Sequence, residues 1–67
     1  MPVFRITVKA PELREYMEAE HWITVRDEAR REYRDRLLDV EMVTCESELQ
    51  LASIAIDFGG VVLPGRE

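Results

Sequence analysis

Between Trp22 and Leu38 the chain reads W-I-T-V-R-D-E-A-R-R-E-Y-R-D-R-L-L, and within it Trp22, Val25, Ala29, Tyr33 and Leu37 recur at intervals of 3, 4, 4 and 4. That spacing is the apolar stripe of an amphipathic helix, so the stretch predicts a helix over about 22–38. Extending the stripe backwards lands on Glu18 and Glu15. The helix therefore starts near Glu20 to Ile23, or one turn later with Thr24 as N-cap and Asp27 three residues on. Acid-first pairs such as Glu28 with Arg31 and Glu32 with Arg36 support it at i,i+3 and i,i+4 spacing.

Upstream, Val3 to Ala10 (V-F-R-I-T-V-K-A) alternates apolar and polar residues, with Phe4, Ile6, Val8 and Ala10 on one side, which predicts a strand with one buried face. Pro11-Glu12 interrupts the alternation and predicts a turn. Leu13 to His21 fits either a short helix or a second strand. The strand is preferred because the helical stripe does not reach back into it, and it turns Leu13, Glu15, Met17 and Ala19 to one side. Downstream, Val40 to about Cys45 predicts a third strand, Glu46-Ser47-Glu48 a polar hairpin turn, and Leu49 to Phe58 (L-Q-L-A-S-I-A-I-D-F) a fourth strand. The expected fold class is α+β: a small β-β-α-β-β domain over residues 1–58, with one helix packed on a mainly antiparallel sheet. Residues 59–67 follow as a Gly-rich, apolar C-terminal tail. With one helix available, the far face of the sheet, carrying Arg5, Thr7, Lys9, Tyr16, Glu18, Glu20, Glu41, Val43, Ser53 and Asp57, is expected to meet water or another chain.

Sixty-seven residues leave room for one domain with a core of roughly 15–20 side chains, near the lower limit of unaided folding. Hydrophobic residues at 46% argue against disorder, and no apolar run approaches the roughly 18 residues a membrane span needs. Nothing at the amino terminus reads as an export signal, so a cytoplasmic, water-soluble protein is expected. A lone Cys45 cannot form an internal disulfide; packing must hold the fold, with a homodimer as a candidate aid.

The net charge of −5 is unevenly spread. Residues 21–36 hold five arginines interleaved with four acids, whereas from Leu37 through Gly65 there is no Lys or Arg and five carboxylates stand alone. Such a surface repels phosphate backbones and steers basic partners, so direct binding of nucleic acid is disfavoured.

Catalytic constellations are weak. His21 is the only imidazole, and its spacing with Glu18, Glu20 and Cys45 matches no metal motif, so neither metal nor cofactor is expected. A Cys45–His21 nucleophile pair is disfavoured because the acidic half would raise the thiol pKa. Glu18 and Glu20 read as a solvated or partner-facing stripe, and the interleaved arginines as a salt-bridged face. No enzyme is expected. The candidate partner-binding residues are Tyr16, Glu18, Glu20, Asp39, Glu41, Glu46 and Glu48, acting on a larger protein or complex with a basic surface, with no membrane partner.

In size, acidity and lack of catalytic groups, the chain resembles in general character the small acidic inhibitors of phages and mobile elements, including anti-CRISPR proteins and DNA mimics. The likeness covers no motif. It implies occupation of a basic, nucleic-acid-binding site on a larger complex, since carboxylates about 6.6 Å apart along a strand approach a phosphate repeat. The alternative is an assembly module that docks or dimerises through its sheet face or the Val61-Val62-Leu63 tail.

Overall fold

The computed structural model describes residues 1–59 and the backbone of Leu63–Pro64. Val3–Val8 forms β1, with Phe4, Ile6 and Val8 buried on one face as expected; it stops two residues short of the expected Ala10, which lies exposed in the following turn at φ 57°. A turn over residues 9–12 carries the chain into β2, Leu13–Glu18, which pairs antiparallel with β1 so that Arg5 lies opposite Tyr16 and Val8 opposite Leu13. The strand preference thus holds for Leu13–Glu18, while residues 19–21, expected in the same strand, instead lead into the first helix.

Helix α1 spans Trp22–Tyr33 with His21 as N-cap, and buries Val25 and Ala29. It ends a turn earlier than its stripe suggests. Arg34 takes φ 54°, a left-handed conformation that stops the helix; a 3-10 turn over Arg34–Arg36 follows, and β3 runs Leu37–Met42. Leu37 still packs with Tyr33 against the same core, but from a strand rather than from a continued helix. Strand β3 therefore begins three residues before the expected Val40 and ends at Met42, three before the expected Cys45. It pairs antiparallel with β1 on the side away from β2, setting Arg5 opposite Glu41 and Ile6 opposite Val40.

The larger correction lies downstream. Leu49–Phe58 is not a fourth strand, and Glu46-Ser47-Glu48 is not a hairpin turn; together they form helix α2, Glu46–Asp57. Leu49, Ala52, Ala55 and Ile56 pack inward at helical spacing, and Glu46 and Glu48 place negative charge in the first turn, where it favours the helix dipole. Gly59 at φ 85° follows the last turn, where glycine meets the left-handed geometry without a Cβ penalty.

The result is an α+β domain in which a three-stranded antiparallel sheet has a helix on each face. Phe4, Ile6, Val8, Val25, Ala29 and Val40 form the core beneath α1, and Tyr16, Val43, Ala52 and Ala55 form a smaller one beneath α2. Helix α2 thus covers Tyr16 and Val43 on the second face from within the chain, while Asp39 and Glu41 on that face stay exposed. A two-residue strand β4, Leu63–Pro64, pairs with Leu13 and Arg14 at the β2 edge. The expectation for Val61, Val62 and the rest of the tail lies outside the described residues.

Candidate functional site

The α2 face of the sheet gathers several of the candidate residues around one cation. Arg5 projects from the central strand between Tyr16 on β2 and Glu41 on β3, its neighbours in register. Its Nη1 donates to both carboxylate oxygens of Glu48 on α2, at 3.0 and 2.9 Å, and its Nη2 reaches Glu41 at 3.4 Å. The Tyr16 hydroxyl donates to Glu48 at 2.9 Å. Burial opposes the Glu48 charge, but the hydrogen bonds from Arg5 and Tyr16 outweigh it and hold the carboxyl below its usual value. For Tyr16, burial first and then the Glu48 contact push the phenol up. These groups fasten α2 to the sheet.

That arrangement sorts the candidates. Tyr16 lies on the expected face but only 3% exposed beneath α2, so it is a core residue and not a surface contact. Glu48 is spent internally on Arg5 and Tyr16. Asp39 and Glu41 stay exposed on β3, two residues apart on one face, and the hydrogen bond and repulsion from Asp39 raise the Glu41 carboxyl. Glu46 is exposed in the first turn of α2. Glu18, at the end of β2, shares a hollow of about 100 Å³ with Val3, Ser53, Ile56 and Asp57; Glu20 lies beyond the strand in the turn before α1, so the two do not form one strand stripe.

Two features escaped the sequence reading. Arg5, placed there on an open face, is the hub of the network. Cys45, the N-cap of α2, is exposed, with Sγ 3.1 Å from the Ser47 hydroxyl. Ser47 and the backbone N–H groups of Glu48 and Ser47 lower its thiol pKa, contrary to the expectation that the acidic half would raise it, because donors at a helix start act at closer range than the surrounding carboxylates. The cue was an N-cap position, hidden while the segment read as a strand.

On the opposite side of the sheet, Tyr33 donates to Glu15 at 2.6 Å, and burial followed by that carboxylate raises its pKa. Trp22, expected in the core, is 44% exposed at the β3 edge, where its Nε1 donates to the Val40 carbonyl at 2.6 Å and the Arg26 guanidinium lies 5.2 Å over its ring.

Among the described residues no three His, Cys, Asp or Glu side chains gather as a metal site would require, and no helix is long and apolar enough to cross a membrane. In comparisons with known proteins, no family model, curated protein or solved structure matches the chain.

Proposed function

We propose that the protein is a non-enzymatic binding module that lays its acidic side on a basic surface of a larger protein, of the kind that otherwise holds nucleic acid. The observation that carries this reading is the Asp39–Glu41 pair: two exposed carboxylates side by side on one strand, with the Glu41 carboxyl raised by its neighbour. Arg5 reaches Glu41 only at 3.4 Å while its shorter bonds go to Glu48, so negative charge is left over at this edge. A cationic partner would relieve that repulsion, and carboxylates alternating on one strand face approach the spacing of phosphates. Glu46 adds to the same sign of field.

The test is retention of a basic, nucleic-acid-handling complex by the tagged protein across a salt series, comparing the natural chain with a D39K/E41K variant. Loss of retention in the variant, together with displacement by nucleic acid, is the expected result. Equal retention at every salt concentration would overturn the reading.

A second reading, assembly with a further copy, is favoured by a separate observation. Leu51 and Ile54 on α2 and Phe58 at its C-cap lie exposed at intervals of 3 and 4, an apolar row that no described residue covers. Light scattering of the natural protein and of Ile54→Lys tests it: a dimer that the substitution dissociates supports assembly, and a monomer at all concentrations rejects it.

A further inference from the structure

Strand β3 ends the sheet, and among the described residues no strand pairs with its outer side. The direction of its main-chain groups follows from two hydrogen bonds. The Val43 N–H donates to the Val3 carbonyl at 2.8 Å, which points the odd-numbered residues toward β1, and the Val40 carbonyl receives Trp22 from the other side. Alternation then turns the backbone N–H and C=O of Val40 and Met42 outward, a template for another strand that would share the Val40 carbonyl with Trp22 or displace it.

The flanks of this edge differ in chemistry. On the α2 side stand Asp39 and Glu41. Leu38 and Met42 remain 53% and 54% exposed along the same strand, and Met42, opposite Phe4, faces the α1 side. There a hollow of about 240 Å³ opens between Trp22, Arg26, Arg30, Leu37 and Leu38. Charges alone would make the edge a guarded one, but a guarded edge gains nothing from two large exposed apolar side chains.

We propose that the outer edge of β3 takes up an extended segment of a partner protein in which Lys or Arg alternates with apolar residues, adding it to the sheet as a further strand. The basic positions meet Asp39 and Glu41, and the apolar ones cover Met42 and enter the hollow beside Trp22. This deepens the acidic-module reading and rests on it, supplying the mode of contact. A second copy of the chain is the poorer occupant: antiparallel pairing of two β3 strands about Val40 sets Asp39 of each directly against Glu41 of the other, and like charges opposite one another destabilise a sheet.

The experiment uses the whole protein, isotope-labelled, with three synthetic probes: a peptide alternating lysine and valine, a block-sequence peptide of the same composition, and one alternating glutamate and valine. The expected result is slowed amide exchange at Val40 and Met42 with the lysine–valine peptide alone, and affinity weaker by roughly tenfold or more in D39K/E41K, as two attractive cross-strand pairs become repulsive. Met42→Pro, which removes an outward N–H at an exposed position, should weaken the same complex while the β1–β2 amide signals stay in place. Equal binding of the block peptide, protection that grows with protein concentration without peptide, or no protection at β3 would each overturn strand addition. If β3 stays unprotected while retention of a basic complex is still lost in D39K/E41K, strand addition fails and the acidic module stands; if that retention is also indifferent to the substitutions, both fail.

Discussion

Beneath α1, the side chains of Phe4, Ile6 and Val8 meet Val25, Ala29 and Val40, all buried and all apolar, while beneath α2 the buried set is Tyr16, Val43 and two alanines, with the Arg5–Glu48 pair at its margin. The α1 face removes large aliphatic and aromatic groups from water, so contact area holds it. Small Ala52 and Ala55 let α2 sit close to the sheet but bury less, and charged hydrogen bonds fix where it sits. One face supplies stability, and the other supplies the position of the acidic helix and of the edge beside it.

The comparison breaks most visibly through the first face. Ile6 is 1% exposed at its centre, and Ile6→Ala should cost about 2–5 kcal/mol, which a domain of this size can scarcely lose. Urea denaturation should show an unfolded or barely folded variant. On the second face, Arg5→Met leaves the Glu48 carboxylate with the Tyr16 hydroxyl alone and no counter-charge, and should cost about 1–3 kcal/mol, leaving α1 and β1 folded. Replacing Arg5 and Glu48 by Met and Tyr16 by Phe together should recover most of the loss, because no charge or hydroxyl is then left unpaired beneath α2, and Glu41, which also loses Arg5, is exposed to water. A triple variant as unstable as Arg5→Met would mean that the face depends on its charges after all.

Acid sharpens the contrast. Because Glu48 titrates below the usual glutamate value when folded, its contribution is complete above that usual value and is lost as the pH falls through the folded one. Glu41 runs the other way: raised by Asp39, it favours the fold at low pH, and that contribution fades as the pH rises through its folded value. Glu48→Gln should therefore flatten the acid limb of a stability–pH curve, while Asp39→Asn should bring the Glu41 titration down in carboxyl-detected NMR. The smallest effect belongs to the margin of the second face. Ser47→Ala should move thiol alkylation of Cys45 to higher pH and change stability by no more than about 0.5 kcal/mol. An unchanged alkylation profile would show that the backbone donors suffice.

What was legible in the sequence follows the same division. The strict alternation from Val3 admits one period only, and β1 starts where it was expected but ends at Val8 because the chain turns before Ala10; the stripe from Trp22 likewise marks the start of α1. The helix end was hidden because Leu37 keeps the stripe going and faces the same core, while the reversal at Arg34 is made by a residue with no turn preference. Helix α2 was missed because L-Q-L-A-S-I-A-I satisfies both a period of 2 and one of 3.6, and its β-branched residues favoured the wrong one. Asp39 and Glu41 could be named from charge alone. The Arg5–Glu48 contact joins residues 43 positions apart and depends on strand register and on α2 being a helix, neither of which a local pattern encodes.

Trp22 is the chain's only tryptophan, and its indole rests between the Arg26 guanidinium and the carbonyl that an incoming strand would contest. Its ultraviolet emission is therefore a built-in optical signal for that edge. Displacing the indole from Val40 would change the colour and intensity of the fluorescence, so occupancy can be followed in solution without attaching a dye.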